Sequence, residues 1–475
     1  MIEHVSPVIL SIIVQYTRKR KTLNNKKNRK TLMHSGLFSG STECEKGHPG
    51  HRPLFFLPTW EDRVEPDFDF REESPKCRRD SYKTGLYAHE IFPEPPYDGL
   101  LISLALFENK LRLGNNGSGP TIRGYDNIRA YLRLKHLPQV QIMGDCGAFT
   151  YVNEEVPPAS ASPGRVAQLY NTLGFDTGIS PDHIIVNSIL VKHNGRVECQ
   201  PLTLQEKEQR RIITLQNAKL FLDYVRTHNL SFTPVGAAQG YDESTYVESV
   251  NDLLDMGYDY IAIGGLVRYP TARVRAIIEA ILRAVRRRRQ GVRIHLLGIL
   301  RMQLLDYFRQ AGISSFDSAS FLRKAWLRSE MNYFGVDGEW YAAIRVPPSY
   351  DPRVVSSARE MGIDPSRLTR LERKALNALE RYGRNEISLE STLEVVLEYD
   401  RLLRRSSENI GIIHASYRRT LESRIWEKCT CNICREAGIH VVIFRGTNRN
   451  KRRGFHNVKL FYDIYMMAKE GSVQV

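Results

Sequence analysis

The chain has 475 residues, 42% apolar and 25% charged, and 68 Lys/Arg against 53 Asp/Glu give it a net charge of +15. That length buries large cores without staples, and the composition excludes collagen-like, wholly disordered and small disulfide-rich classes, while the basic balance favours a polyanionic partner, nucleic acid above all. Seven cysteines are too few for a disulfide framework, and three of them fall within six positions, which points to a reducing compartment and one metal site.

Residues 1–52 read as a basic extension that carries +7 and packs eight basic residues into Arg18–Lys30. It is either a nucleic-acid arm or a disordered tail, with Met33 as a second candidate start. In the apolar run Val8–Tyr16 the positive charge follows rather than leads, against the order of a secretory signal. No stretch of about 18 apolar residues occurs, so a cytoplasmic protein with no membrane partner is expected.

Residues 53–97 read as a lead-in segment that opens on the apolar run Leu54–Leu57. From 98 to 330 the pattern alternates. Strands are expected at Gly99–Leu106, Val140–Met143, His183–Val191, Thr233–Ala237, Tyr260–Ile263, His295–Leu297 and Ser314–Phe316. Helices are expected between them at Pro163–Leu173, Leu204–His228, Ser244–Met256, Thr271–Gln290 and Arg301–Ala311. Repeated βα units of this length imply an α/β fold, a (β/α)8 TIM barrel. The rival doubly wound sheet lacks its G-x-G-x-x-G turn. Residues 331–425 read as a helical insertion, with amphipathic helices at Leu368–Tyr382 and Ser388–Leu403. Residues 426–475 read as a zinc-binding subdomain with a strand at His440–Phe444 and a C-terminal helix.

The sharpest chemical signal is Cys429-Thr-Cys431-Asn-Ile-Cys434, followed after 21 residues by His456. Three thiolates and one imidazole make a closed tetrahedral zinc site, which is structural because no position stays open for water. His440 is the weaker fourth ligand. A second signal is Asp145-Cys146-Gly147-Ala148-Phe149, directly after a strand, where a carboxylate faces a barrel mouth and a Phe can stack on a planar ring. A third is Phe316-Asp317-Ser318, at the end of a late strand. Either Asp alone could be a helix cap. Two carboxylates at one mouth could instead divide the roles of nucleophile and acid/base, as retaining glycosyl chemistry requires, and the spacing does not say which takes which role. Gln239-Gly240 and Ile263-Gly264-Gly265-Leu266 expose backbone at strand ends, either to a flat ligand or simply in tight turns.

Together and in this order these features resemble the tRNA-guanine transglycosylase superfamily of zinc-bearing (β/α)8 barrels. Its D-S-G-G-F/Y-Q motif looks like Asp145–Phe149, its Q-G-G like Gln239-Gly240-Tyr241, and its A-I-G-G-L is matched by Ala262–Leu266. Its F-D turn is matched by Phe316-Asp317, its S-D-x5-D by the pair Asp176 and Asp182, and its L-M-G by Leu296-Leu297-Gly298. Cys146, Ala148, Tyr241 and Ser320–Arg323 depart from the pattern. Leu54–Asp69 and Tyr97–Ser103 resemble the DNA-directed, DpdA-type branch.

The resemblance implies exchange of guanine in DNA for a 7-deazaguanine such as 7-cyano-7-deazaguanine (preQ0). Asp317 would be the nucleophile and Asp145 the acid/base. Asp182, Gln239, Gly240, Gly264, Gly265, Leu266 and Gly298 would hold the base, with Phe149 stacked on it. Cys429, Cys431, Cys434 and His456 would hold Zn2+. Arg323, Lys324, Arg449, Lys451, Arg452 and Arg453 would hold the nucleic-acid backbone, while Arg286–Arg289 is either a further contact or a solvated helix end. A helper ATPase that opens the duplex and a homodimer are kept as further partners. Two alternatives stay open: a tRNA-directed enzyme, and a catalytically idle zinc-containing nucleic-acid-binding barrel.

Overall fold

The computed structural model describes residues 52–467 except 60–61, 76–80, 108–110, 114–119, 123, 194–195, 327–330 and 404–409. The basic stretch Arg18–Lys30 lies outside the described residues.

Eight parallel strands close a barrel. In chain order they are β1 (Leu54–Thr59), β2 (Gly99–Ser103), β3 (Gln141–Asp145), β4 (Thr177–Ile179), β5 (Thr233–Ala238), β6 (Tyr260–Ile263), β7 (Arg293–Leu296) and β8 (Ser315–Asp317). Closure comes from β1, which pairs with β8 in the register Leu54↔Ser315 and with β2 in the register Phe56↔Gly99. The lead-in segment 53–97 therefore supplies the first barrel strand, and the barrel starts before residue 98. Side chains alternate across each strand. Phe56, Leu101, Met143, Ile179, Val235, Ala237, Tyr260 and Ala262 fill the interior, and the helices cover the other face.

The fourth strand departs from expectation. His183–Val191 is not in the barrel: Ser188–His193 forms an antiparallel hairpin with Arg196–Pro201, and β4 is the three-residue Thr177–Ile179. Gly178 is required there, because a Cβ would sit 2.3 Å from the ring of Tyr170.

The covering helices are α1 (Pro163–Leu173), α2 (Leu204–Thr227), α3 (Glu243–Met256), α4 (Thr271–Arg288), α5 (Leu305–Ala311) and the short α6 (Ser320–Lys324). Their ends carry local signals. Pro163 opens α1, a Thr203/Glu206 capping box opens α2, and left-handed Gly174 and Gly257 close α1 and α3.

After α6 the chain leaves the barrel for helices α7 (Pro365–Gly383), α8 (Leu389–Leu402) and α9 (Ile410–Ser423). It returns as α10 (Thr447–Met467), whose Phe461 packs edge-on against Phe55 of β1 and whose Tyr465 packs against Phe316 of β8. The Tyr465 hydroxyl donates to the carbonyl of Pro53 at 2.5 Å. The C-terminal helix thus covers the seam where the barrel closes. No helix among the described residues is long and apolar enough to cross a membrane.

Candidate active site

Barrel geometry collects the C-terminal strand ends at one mouth. Asp145 ends β3, Asp182 follows β4, Gln239 follows β5, Gly264 follows β6, Gly298 follows β7 and Asp317 ends β8. A carboxylate oxygen of Asp145, the Cys146 thiol and an oxygen of Asp182 lie within 4.8 Å of one another.

Asp145 accepts from the backbone N–H of left-handed Gly147 at 3.1 Å. Burial is the main cause that raises its pKa, to about 7, and the negative charges of Asp182 and Asp317 push in the same direction. It can therefore hold or release a proton near neutrality.

Asp182 is buried and its pKa is raised by that burial. Its Oδ2 accepts from Gln239 Nε2 at 2.6 Å, and its Oδ1 lies 3.7 Å from Cys146 Sγ. The Tyr151 hydroxyl donates to the Asp182 carbonyl at 2.9 Å and touches Cys146 Sγ at 3.1 Å. The larger sulfur at 146 thus still closes the link between Tyr151 and Asp182. Gln239 Oε1 is buried without a partner among the described residues, an acceptor open to a ligand donor. Glycine at 264 makes room for that amide, since a Cβ would lie 2.2 Å from Nε2.

Asp317 sits in a row of polar groups inside an otherwise apolar barrel. Its Oδ1 accepts from the Gly298 N–H at 2.8 Å and from His295 Nε2 at 3.1 Å. His295 Nδ1 is 2.7 Å from Ser315 Oγ, which is 2.6 Å from the Tyr260 hydroxyl. One proton assignment satisfies the row: Tyr260 donates to Ser315, Ser315 to Nδ1, and Nε2–H to the carboxylate. Both held contacts fall on Oδ1, which leaves Oδ2 for another partner.

The sequence-predicted residues separate here. Asp145, Asp182, Gln239, Gly264, Gly298 and Asp317 converge. Gly240 packs tightly on Tyr246, where a Cβ would come within 2.7 Å of the ring. Gly265 is left-handed, and the Leu266 side chain is in the core, so these two offer only backbone. Phe149 follows Ala148 in the loop after β3 and is 57% exposed. Asp176, at the other end of β4, is structural: it accepts from the Ile142 N–H and from Arg129, both at 2.7 Å.

Sequence reading missed Tyr151, His295, Ser249, Tyr246 and Arg268. Ser249 holds the Gln239 carbonyl at 2.8 Å, Tyr246 the Gly264 carbonyl at 2.8 Å and Arg268 the Gly240 carbonyl at 2.6 Å. Only His295 left a readable signal, since strand alternation puts it on the inner face.

The cysteine cluster is a candidate metal centre. His456 Nδ1 lies 3.6, 3.4 and 3.3 Å from the sulfurs of Cys429, Cys431 and Cys434. A tetrahedron with Zn–S of ~2.3 Å and Zn–N of ~2.0 Å has N···S edges of about 3.5 Å. His456 Nε2 donates to the Phe334 carbonyl at 2.8 Å, which fixes the tautomer and turns the Nδ1 lone pair toward the thiols. The four residues fit one metal ion and could bind zinc. His440 is not among them: it stacks on Phe70 at 4.8 Å and touches Arg449.

The basic segment beside the metal centre is corrected. Arg449, Arg452 and Arg453 are buried on the inner face of α10 and cannot reach a phosphate. Arg449 bonds Glu73 at 2.7 Å, Arg452 pairs with Glu436 at 2.9 Å, and Arg453 donates to the carbonyls of Val441, Ile443 and Ala325. They staple α10 to the rest of the chain. Lys451 pairs with Asp62 at 3.6 Å, and Lys324 lies 3.8 Å over the Trp340 ring. Arg323 is half-buried, and burial lowers its pKa to about 10. In Arg286–Arg289, Arg288 pairs with Asp255, and Arg286 and Arg289 bond backbone carbonyls, at the end of the barrel away from the mouth.

No family model matches the chain. It is similar to a protein named DNA-guanine transglycosylase from Salmonella montevideo, with 39% identity over 415 residues, 86% of this chain and 95% of the relative. Identity of that extent, on a closed (β/α)8 barrel with three carboxylates at one mouth, makes this chain a guanine transglycosylase of the DNA-guanine transglycosylase family.

Proposed function

We propose that this enzyme exchanges guanine in DNA for a 7-deazaguanine such as 7-cyano-7-deazaguanine, through a covalent intermediate on Asp317. The observation that carries the reading is the Asp317 carboxylate, pinned through Oδ1 and free at Oδ2, beside a second carboxyl poised near neutrality. The relative's name supports DNA as substrate.

The flipped nucleotide enters the mouth, at a cost of a few kcal/mol for unstacking. Asp182 accepts from guanine N1–H and the 2-amino group. Gln239 swings with it, and the backbone at Gly264–Leu266 reads the remaining edge. Asp317 Oδ2 attacks C1′, the C1′–N9 bond breaks, and its electron pair goes to guanine, which takes a proton from Asp145. The incoming 7-deazaguanine returns a proton from its N9 to Asp145. That N9 attacks C1′ and displaces Asp317, with net retention. Cys429, Cys431, Cys434 and His456 would hold zinc, which when bound would supply structure only.

Nucleoside mass spectrometry of DNA and tRNA from cells making the protein, with the deazaguanine base supplied, tests the reading. A 7-deazaguanine nucleoside is expected in DNA. Its presence in tRNA alone would transfer the activity to RNA.

Asp145 predicts a pH dependence. A carboxyl raised to about 7 carries its proton below that pH and loses it above. Single-turnover guanine release is therefore expected to fall about tenfold per unit above pH 7. Asp145→Asn should be slow and pH-independent over the same range; an unchanged alkaline limb in that variant would assign it to another group.

Gly264→Ala is expected to push the Gln239 amide off Asp182. KM for the base should rise roughly tenfold or more, equivalent to about 1.4 kcal/mol, with a smaller change in kcat. Steady-state exchange of labelled guanine measures both.

A further inference from the structure

The helical insertion carries a cationic groove that the barrel chemistry does not use. It lies between α7 and α8, has a volume of about 950 Å³, and is lined by Arg370, Arg373, Lys374 and Arg381. These residues recur at helical spacing along one face of α7. Hydroxyl and amide groups of Thr369, Asn377 and Ser391 fill the gaps, and no carboxylate lines the groove among the described residues.

Of the acids on the two helices, Glu372, Glu380, Glu390 and Asp400 are paired, while Glu394 and Glu398 of α8 are exposed. Glu372 pairs with Arg445 at 2.7 Å, Glu380 with Arg71 at 3.1 Å, and Glu390 with Arg418 at 2.6 Å. Arg381 has a carboxylate near it, Glu386 at 3.5 Å. Arg370, Arg373 and Lys374 are exposed and have no ion-pair partner among the described residues. Unpaired like charges on one helix face repel, so the arrangement stores a cost that a bound polyanion removes.

We infer that this groove binds the sugar–phosphate backbone of duplex DNA flanking the target base. Three observations select that occupant. The lining is guanidinium, ammonium, hydroxyl and amide, the donor set that contacts phosphate without reading sequence. From Arg370 to Arg381 the helix runs about 16 Å, the length of several phosphate steps, which suits a strand rather than one small anion. The helices are moored to the connection that leaves the C-terminal end of β1, through Arg71 with Glu380 and through Glu73 and Glu372 on Arg445, which ties the groove to the chain leaving the mouth. The inference rests on the DNA reading above and moves the backbone contacts from the metal-centre arginines, which are buried, to α7.

The test is binding of a fluorescent 30-base-pair duplex by the full chain across a salt series. Arg370→Gln, Arg373→Gln and Lys374→Gln are combined in one variant. The control makes the same charge change at Arg283, Arg286 and Arg287, exposed at the far end of the barrel. Melting curves establish that both fold. The groove variant should bind roughly ten- to hundredfold more weakly, with a log–log salt slope shallower by about 2.7, and the control should match the unaltered protein. Equal loss in both variants, or none in the groove variant, overturns the site. Binding of tRNA but not duplex DNA by the unaltered protein overturns the occupant. Base exchange is followed in the same samples: selective loss of DNA binding in a protein that exchanges no base would keep the groove and sink the catalytic reading instead.

Discussion

Asp317→Asn is expected to abolish base exchange, with guanine release at least about 10⁴-fold slower, while the protein folds and binds DNA as before. The substitution is close to isosteric. Its amide oxygen can still accept from the Gly298 N–H and from His295 Nε2, so the polar row through Ser315 and Tyr260 stays satisfied. What changes is the atom at Oδ2: an uncharged amide nitrogen has no lone pair available to attack C1′. Losing a nucleophile removes an interaction made only in the transition state, so kcat falls and the affinity for the base holds. The direct measurement is intact-mass analysis after mixing with an oligonucleotide and no incoming base. The unaltered protein should gain the mass of the oligonucleotide less guanine, and Asp317→Asn should gain nothing. An adduct that survives in this variant and disappears in Asp145→Asn would exchange the two roles.

The row behind Asp317 also limits how the site could have been read from sequence. Several strand ends were legible because the mouth residue follows an apolar stretch: Ile142-Met143 before Asp145, Ile261–Ile263 before Gly264, Phe316 before Asp317. β4 was not legible. Thr177-Gly-Ile179 is too short to show a period, and its place is dictated by Tyr170 pressing on Gly178, a contact between distant elements. The run His183–Val191 looked more strand-like and is indeed extended from Ser188, but in a hairpin outside the barrel. Local propensity selected the conformation and tertiary context selected the sheet. The buried arginines of α10 were misread for a different reason. Clustered basic residues suggest solvent or phosphate, yet Arg449, Arg452 and Arg453 precede His456 by seven, four and three residues. A ligand histidine facing a metal places all three on the same inward face. The α7 cations follow the opposite rule, on a helix whose buried face is marked by Leu368, Leu371, Ala375 and Leu379.

Removal of the metal is expected to unfold more than the metal centre. Cys434→Ser, or incubation of the unaltered protein with a strong chelator, should cost one zinc per chain and lower Tm by roughly 10 °C or more. A structural zinc contributes an apparent ~10–16 kcal/mol in small domains, comparable to the ~5–15 kcal/mol that separates most folded proteins from their unfolded states. Here the ligands join three separated segments. Cys429–Cys434 is one, His456 on α10 is the second, and the third is Tyr333-Phe334, which stacks on His456 at 4.2 Å and accepts its Nε2 proton at the Phe334 carbonyl. Without the ion, Cys429, Cys434 and His456 remain buried beside the half-buried Cys431 with no common partner, and α10 loses its anchor. That helix covers the closure between β1 and β8 through Phe461 and Tyr465, directly behind Phe316 and one residue from Asp317. The metal-free protein should therefore lose exchange activity along with stability, although no reacting group touches the zinc. Metal analysis with thermal melting decides the point: a zinc-free chain that melts at the same temperature as the zinc-loaded one would reduce the cluster to four neighbouring side chains with no structural ion.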